Sequence, residues 1–397
     1  MQREDALRLA VGALAFLLPV TGVFTTLLLA IIYVLHKPTR MLSASLISLL
    51  ILREVLTYTH LDLPMYVVAI SFIPPTVAHT VSKRFQQLAG SFIYIMATVA
   101  IGYPAAYLLA PYLLQEKILF LTILGGLSGA FLQHVSREMD FTVPFGACMV
   151  MWLFSFEYPL PELSNILMIY MFAVLLGVGA YWAKAADVDA VLSEVIICIL
   201  VVLFAGLKWF LLLLCFYLLG GAFTRYGYSY KHSLGIAQEK CGVRGYKNVY
   251  SNSLVPLVAA LCYGIYSNEI FFYAFLGAVA TANGDTLASE IGETSRSKPR
   301  MITTLKPVDP GVDGGVTPLG EMASLAGAAV IGLVAVATGM TGANGFMITL
   351  ISGFLGSNFD SLMGAVFQRR GLLTNNGVNL VATLFGGIVG ALMGVLI

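Results

Sequence analysis

The feature that most constrains this chain is a series of apolar runs, each about as long as a membrane is thick. Five of them cover residues 88–113, 164–183, 189–207, 320–341 and 376–397. A helix needs about 20 apolar residues to cross a bilayer, and the runs lack the apolar–polar alternation of a transmembrane β-barrel. Charged residues make up 11% of the chain, against roughly 25% in soluble proteins. The sequence therefore predicts an all-α polytopic integral membrane protein.

The number of membrane spans follows from the runs between polar breaks, which predict roughly 11 to 14 transmembrane helices. The range is wide because the runs 6–35 and 189–222 each fit one kinked helix or two. The first run is also longer than the apolar core of about 7 to 15 residues that a cleavable signal peptide has. We therefore expect an uncleaved first helix.

Polar residues divide the chain into two parts. Residues 1–185 have brief loops, whereas residues 186–397 have long loops rich in glycine, proline and charge. We predict an N-terminal transmembrane region of unknown role and a C-terminal catalytic transmembrane domain. GGLSGAFLQ (125–133) resembles DSLMGAVFQ (360–368), with Gly125 in the place of Asp360. If this weak match is a true repeat, the first part is a degenerate copy that serves packing or a lipid path.

Basic residues are concentrated in three loops of the C-terminal part. Of 22 Lys and Arg residues, 11 lie in 224–248, in 296–306 and at 369–370. Basic loops tend to stay on the cytoplasmic side of a membrane, so we expect the loops of an active site on that face. HExxH, GxSxG and triad-like groupings are missing from the sequence, which disfavours zinc and serine hydrolases.

The motif TANGDTLASEIGETS (281–295) places several oxygen ligands directly after an apolar run. On a helix, Asp285, Ser289 and Gly292 would form one stripe and Thr286, Glu290 and Glu293 the next. Small residues, among them Gly284, would let a ligand or another backbone approach closely. The alternative is a helix that begins after Asn283, with the acids facing its dipole; the number of oxygen ligands favours a functional site.

The motif KPVDPGVDGGVTPLGE (306–321) cannot cross a membrane or form an ordinary helix. Its prolines and glycines favour a loop with exposed backbone N–H groups, which attract phosphate together with the helix start near Pro318. Asp309 and Asp313 can supply oxygen ligands to Mg²⁺, and Lys306 a positive charge to phosphate. There is no Walker-type GxxxxGK[ST] pattern. An exposed connecting turn is the alternative.

Two further motifs are polar. The segment 218–252 mixes five basic residues with tyrosines and glycines, which suits either lipid headgroups or a clamp on a substrate phosphate. In GSNFDSLMGAVFQRR (356–370), Asp360 interrupts an apolar run and is costly there unless paired or bound to a cation. Asn375 and Asn379 stand four residues apart at the entry to the last span, on one helical face.

Taken in order, these blocks resemble the family of transmembrane protein 19 and the plant and cyanobacterial phytyl-phosphate kinases. The blocks are FTRYGYSYKHSLGIAQEKCGVRGYKNVYSN, NGDTLASEIG, LKPVDPGVDGGVTPLGE, GSNFDSLMGAVFQ and LTNNGVN, spread over about 224–379. The resemblance covers the C-terminal half, and the long form is similar to archaeal relatives, which implies a prokaryotic cell membrane. One departure is GIAQEK in place of the family's GIAE, with Gln238 at the acidic position and Glu239 beside it.

The resemblance implies a kinase that uses CTP and Mg²⁺ to convert a prenyl monophosphate lipid to its diphosphate. Phosphoryl transfer needs positioning and charge neutralisation more than covalent chemistry. The predicted catalytic residues are Asp285, Asp313, Asp360 and Lys306. The predicted metal ligands are Asp285, Glu290, Asp309, Asp313 and Asp360. The predicted nucleotide- and phosphate-binding residues are Asn283, Gly284, Ser289, Gly311, Gly314, Gly315, Val316, Thr317, Asn375 and Asn379. Arg225, Lys231 and Arg244 are predicted to bind the acceptor phosphate.

Two other functions are compatible with the sequence. A cytidylyltransferase would make a CDP-lipid and release pyrophosphate, whereas the kinase would release CDP. A transporter would suit many spans and a repeat, but transporters hold polar sites near the bilayer midplane, and here the polar blocks lie mostly in loops. Membrane lipids are expected partners, nucleic acid is not, and a homo-oligomer is left open.

Overall fold

The computed structural model describes residues 3–59, 61–238 and 242–396. Its contacts divide the chain into two compact units, with the division between Met171 and Phe172. This position lies inside a helix, whereas the sequence-based boundary between residues 185 and 186 falls in the connection that follows it. Glu239, singled out above, lies outside the described residues.

Unit 1 is built of helices joined by short connections. They are α1 (Arg3–Phe16), α2 (Leu18–Val34), α3 (Arg40–Thr57), α4 (Met65–Ile70), α5 (His79–Ser82), α6 (Gln87–Leu109), α7 (Gln115–Val135) and α8 (Met139–Leu153). A 3-10 turn (Lys37–Thr39) precedes α3, and a π-helical turn (Pro74–Ala78) joins α4 to α5. Helix α9 (Leu163–Trp182) contains the division between the units.

Unit 2 contains the remaining elements. They are α10 (Val188–Ala205), α11 (Leu207–Arg225), α12 (Tyr228–Ser233), α13 (Tyr246–Tyr266), α14 (Glu269–Gly292), β1 (Arg300–Met301), β2 (Gly315–Val316), α15 (Pro318–Ala337), α16 (Ala343–Met363), a π-helical turn (Gly364–Gln368) and α17 (Asn375–Val395). The two short strands pair antiparallel, Arg300 with Val316 and Met301 with Gly315.

The prediction of an all-helical polytopic membrane protein is confirmed. Among the described residues, ten helices are long and apolar enough to cross a membrane, and the bent α1–α2 pair would make eleven. This number lies at the lower edge of the predicted range. Helix α14 is not among the ten because its second half is polar, although its 24 residues give a length of about 36 Å.

Both ambiguous apolar runs are two helices, and each break has a local cause. The first run bends by 120° between α1 and α2; Pro19 occupies the first turn of α2, and Gly22, with φ of 76° and ψ of 161°, interrupts the helical backbone just after it. Proline is accommodated in a first turn but not in a helix interior. The second run breaks at Gly206, whose φ of 96° is a conformation that side chains other than glycine disfavour.

Helix α14 is the centre of unit 2 and packs against α11, α13, α15, α16 and α17. Glycines allow this crowding. A Cβ atom on Gly277 would lie 2.2 Å from the Gly386 carbonyl oxygen of α17, and one on Gly327 of α15 would lie 3.0 Å from the Asn283 oxygen. Close backbone approach of this kind is how membrane helices pack without a hydrophobic driving force. This close packing positions the end of α14 beside the ends of the neighbouring helices.

Candidate functional site

A cavity of about 790 Å³ lies in unit 2 where several helix ends meet. The last turns of α14 and the end of α16 form part of its wall, together with the first turns of α15 and α17. Two loops complete it over the described residues, one through Gln238 and residues 243–245 and the other through residues 310–317. The first turns of α15 and α17 bring the positive ends of two helix dipoles to the cavity wall, and Thr317 and Thr374 each cap one of their N–H groups.

The loop 310–317 reaches the cavity through two glycines in the left-handed region. Gly311 has φ of 81° and Gly314 has φ of 80°. A Cβ atom on Gly314 would lie 2.5 Å from the Cβ atom of Ala365, so the loop rests directly on the π-helical turn after α16. The loop ends in β2 and in Thr317, whose hydroxyl oxygen accepts a hydrogen bond from Gly320 N at 3.0 Å and caps α15.

Asp285 of α14 and Asp360 of α16 face each other across the cavity wall and share a side-chain hydrogen bond. The Oδ2 atom of Asp360 is buried and has no hydrogen-bond partner among the described residues. Two neighbouring carboxylates repel each other unless a proton or a cation lies between them. An orphaned carboxylate oxygen in a polar cavity fits a metal ligand.

Asp313 is the third carboxylate and comes from the glycine loop. Gln368 donates a hydrogen bond from Nε2 to Asp313 Oδ1 at 2.9 Å. Burial raises the pKa of Asp313, and the positive charge of Arg369 opposes this rise. The negative charge of Asp313 is also felt at Asp360. Three motifs that are distant in sequence thus contribute one carboxylate each to the same cavity.

The spacing of these carboxylates limits how they could hold a metal ion. The described residues contain no group of three His, Cys, Asp or Glu side chains close enough to hold a metal ion by themselves. Mg²⁺ is normally held by one or two carboxylates together with waters and substrate phosphates. Asp285, Asp313 and Asp360 therefore fit an ion that enters with a phosphate substrate, rather than an ion in a closed protein cage.

Glu290 of α14 is engaged in a buried ion pair instead. Lys231 of α12 donates from Nζ to Glu290 Oε2, and Gln238 donates from Nε2 to Glu290 Oε1 at 2.6 Å. The side chains of Lys231 and Glu290 are 1% and 2% exposed. Both carboxylate oxygens are thus occupied, and the lysine has no open path to a substrate. Their placement differs from the predicted roles of metal ligand and acceptor-phosphate ligand.

Arg244 enters the cavity wall from the loop before α13. Its guanidinium lies over the rings of Phe216 and Tyr217, with centroid distances of 5.0 and 5.9 Å. A Cβ atom on Gly220 would lie 1.8 Å from Arg244 Nη2, so a side chain at this position of α11 would displace the guanidinium. The Nη1 atom is buried and has no partner among the described residues. Arg244 is therefore a cation available to an anionic ligand.

The predicted site residues separate into two groups. Those that line the cavity are Asp285, Ser289, Glu290, Gly311, Asp313, Gly314, Gly315, Val316, Thr317, Asp360, Asn375, Asn379 and Arg244. Those outside its lining are Asn283, Gly284, Arg225, Lys231, Lys306 and Asp309.

Each residue outside the lining has another environment. Asn283 and Gly284 lie between α14 and α15, where Asn283 Nδ2 donates to Gly327 O at 2.8 Å. They are interior to α14, so the alternative of a helix beginning after Asn283 is wrong. Arg225 is exposed and donates to the carbonyl oxygens of Ala183 and Lys184 at 3.0 and 3.1 Å. Lys306 and Asp309 are exposed.

Sequence reasoning missed several cavity residues. Thr224, Asn248, Glu293, Glu321, Ser357, Ser361 and Gln368 line the cavity without having been predicted. Gln368 is instructive, because in a regular α-helix it would be rotated about 80° from Asp360. The wider π-helical turn from Gly364 to Gln368 reduces this rotation. Such turns are common at functional sites, but no local sequence signal marks this one.

Glu293 gives the cavity a titratable group near neutral pH. It follows α14 immediately and is half-buried. Burial, followed by the negative charge of Glu290, raises the pKa of Glu293 to about 7, and Lys231 opposes the shift. The folded protein therefore binds this proton more tightly than the unfolded chain, whose pKa is 4.5.

The substitution Glu293→Gln tests this assignment through the pH dependence of stability. The stabilisation from the neutral carboxyl is complete below about pH 4.5 and is lost as the pH rises through about 7. We expect the Tm of the wild type to fall relative to that of the variant over this window, and the difference to stay constant above it. Thermal unfolding in detergent at several pH values measures it; parallel curves at all pH values would contradict the assignment.

Comparisons with known proteins place this region in a family. A family model described as Integral membrane protein DUF92 matches residues 171–387. An uncharacterized membrane protein of Methanocaldococcus jannaschii is 36% identical over 214 residues, which are 53% of this chain and 87% of that protein. Protein PGR of Arabidopsis thaliana is 30% identical over 228 residues, covering 45% of this chain and 79% of the relative.

A second Arabidopsis thaliana relative is Protein VTE6, chloroplastic. It is 27% identical over 197 residues, which are 47% of this chain and 59% of that protein. No solved structure gives a significant match. The family match contains all five motif blocks and the whole cavity, so the family resemblance predicted from the motifs is confirmed.

Proposed function

Because the chain belongs to the DUF92 family of integral membrane proteins, we propose that unit 2 is a CTP- and Mg²⁺-dependent kinase of prenyl monophosphates. It would convert a phytyl- or geranylgeranyl-type monophosphate to the diphosphate at the cytoplasmic face of the membrane. The motif resemblance to phytyl-phosphate kinases and the similarity to VTE6 support a role in prenyl-lipid metabolism. The convergence of Asp285, Asp313 and Asp360 on one cavity is the observation that carries the kinase proposal.

The dimensions and position of the cavity support a nucleotide as one substrate. Ligand cavities typically measure about 300 to 1,000 Å³, and about 790 Å³ lies within this range. The cavity is formed by helix ends and loops, where a water-soluble nucleotide can meet a lipid headgroup. A transporter would instead hold its site near the bilayer midplane on broken helices.

The charges that line the cavity support the proposed reaction. An oxygen of the lipid monophosphate attacks the γ-phosphorus of CTP, a new P–O bond forms, the bond to the bridging β–γ oxygen breaks, and CDP leaves. The attacking oxygen is already ionised, so the site needs no strong general base. Mg²⁺ held by one or two of the carboxylates of Asp285, Asp313 and Asp360, together with the substrate phosphates, would neutralise charge between the two polyanions.

The protein's own groups position the two phosphates. The backbone N–H groups of the glycine loop and the first turn of α15 would hold the nucleotide phosphates, since both are anion-binding arrangements. Asn375 and Asn379, at the start of α17, would donate amide hydrogens from the opposite side. Arg244 would bind the acceptor phosphate through its unpaired Nη1, while the apolar tail lies between helices.

The test uses purified full-length protein with labelled CTP, Mg²⁺ and geranylgeranyl or phytyl phosphate. We expect prenyl diphosphate and CDP as products. Pyrophosphate and a CDP-lipid would instead identify a cytidylyltransferase. If neither product forms with any prenyl phosphate and nucleotide tried, the proposal is wrong.

A further inference from the structure

Unit 1 repeats the helix arrangement that forms the cavity in unit 2. In unit 2, α14 packs against α15, α16 and α17, and these pack in order against one another. In unit 1, the span formed by α4, the π-helical turn and α5 packs against α6, α7 and α8, and α6–α7 and α7–α8 also pack. Each unit therefore has one central span followed by three helices in the same order.

The sequence echo between the two parts agrees with this arrangement. Residues 125–133 lie at the end of α7, the third helix of its set, and residues 360–368 lie at the end of α16 and its π-helical turn. Gln133 and Gln368 close the two matching stretches, and each lines a cavity of its own unit. Gly125 stands in the place of Asp360. Position and sequence thus agree, and the metal-binding aspartate is missing from the copy.

The cavity of unit 1 measures about 80 Å³ and lies at the corresponding helix ends. Its polar lining comes from the end of α5, the start of α6 and the end of α7: Ser82, Lys83, Ser91, Tyr94, Gln133 and His134. No Asp or Glu is among the described residues that line it. Hydrogen-bond donors predominate here, and the first turn of α6, a helix of 23 residues, adds its N–H groups.

The hydroxyl of Tyr94 is the clearest sign of a ligand. Tyr94 is 1% exposed, and its Oη atom has no hydrogen-bond partner among the described residues. Leaving a buried hydroxyl without a hydrogen bond is unfavourable, so a site that keeps one is expected to satisfy it with a bound group. Ser91 Oγ lies beside it on α6 and is hydrogen-bonded to His134 Nε2 at 2.8 Å.

Lys83 supplies a positive charge and one N–H donor that Asp5 does not use. Its Nζ donates to both carboxylate oxygens of Asp5, at 2.6 and 2.8 Å. A lysine ammonium has three N–H donors, so the third is available to a ligand. Asp5 does not line the cavity, and Lys83 is therefore the charged group that a ligand in the cavity would meet.

We propose that this cavity is a second anion site, which binds one phosphate-like oxyanion without a metal ion. The size limits the ligand, since this cavity has about a tenth of the volume of the cavity in unit 2, about 80 against about 790 Å³. It therefore suits a single phosphoryl group rather than a nucleotide. The lining has the donors to bind it and lacks the carboxylates that would require a cation. The phosphoryl group belongs to inorganic phosphate or to a lipid headgroup.

Hydrogen–deuterium exchange of the full-length protein with EDTA present tests the proposal without CTP, metal or turnover. One arm adds inorganic phosphate to protein in detergent without phospholipid. The other compares nanodiscs of phosphatidylcholine with nanodiscs containing phosphatidic acid, a phosphate monoester. We expect amide exchange in peptides covering 82–94 and 130–136 to slow about tenfold at ten times the dissociation constant. Protection in either arm supports the site, and the arm that gives it identifies the source.

Two variants and a matched control assign the effect to this cavity. Tyr94→Phe removes only the orphaned oxygen and Lys83→Met removes the charge; both are expected to raise the dissociation constant at least tenfold, which lowers protection at the same ligand concentration from about tenfold to about twofold or less. Tyr107→Phe changes an exposed tyrosine on the same helix, about 20 Å along its axis, and should leave protection unchanged. If neither arm protects these peptides, or if Tyr94→Phe, folded as judged by its Tm, keeps full protection, the cavity holds water and the proposal is overturned.

Discussion

Asp360→Asn is expected to lower kcat for prenyl diphosphate formation at least about 100-fold, since transition-state charge is no longer balanced by a group placed for it. The same substitution removes one of two carboxylates that share a hydrogen bond, so repulsion in the folded protein is relieved. We therefore expect the Tm to stay the same or to rise. Steady-state kinetics and thermal unfolding of the same preparation measure both effects.

Asp309→Asn is the matched control for this prediction. Asp309 belongs to the same motif as Asp313, but it is exposed and outside the lining of the cavity, so activity should change less than about twofold. Asp285→Asn should lower kcat about as much as Asp360→Asn. The kcat of the double variant should be little below that of either single variant, because the effects of residues that act together are not additive. Full activity of Asp360→Asn would contradict the proposed role of the carboxylates.

Lys231→Met is expected to destabilise unit 2 by about 3 to 5 kcal/mol, since it leaves the buried charge of Glu290 without its cation. For a unit of this size the loss corresponds to a fall in Tm of roughly 10 °C. The double variant Lys231→Met with Glu290→Gln removes both charges. It should recover much of the stability that Lys231→Met alone loses. Thermal unfolding of the wild type, both single variants and the double variant completes the cycle.

Lys247→Met provides the control for a lysine in the same segment. Lys247 is exposed, and surface substitutions usually change stability by less than about 0.5 kcal/mol. If the double variant loses as much as the two single variants added together, Lys231 and Glu290 do not act as a pair. In that case Lys231 would again be a candidate ligand of the acceptor phosphate.

The site motifs could be predicted from sequence because placing their polar and charged residues in a membrane is energetically unfavourable. Asp360 in an apolar helix and the glycine-rich loop with Asp313 both violate the surrounding pattern, and such violations mark function. The predicted stripes on α14 were also found, with Asp285 and Ser289 lining the cavity. What the pattern could not provide was the partner of each charge. Lys231 was assigned to a phosphate because its acidic partner lies 59 residues away.

The sequence by itself determined that the chain is a helical membrane protein and which motifs carry polar chemistry. These properties depend on apolar run length, on Pro and Gly, and on the cost of charge in lipid, all of which are local. Only the tertiary structure decided that Asp285, Asp313 and Asp360 meet, that Glu290 is neutralised by Lys231, and that Asn283 and Gly284 serve helix packing. Contacts between distant segments depend on how helices cross, and helix crossing follows from the close approach of small residues rather than from any single run of sequence.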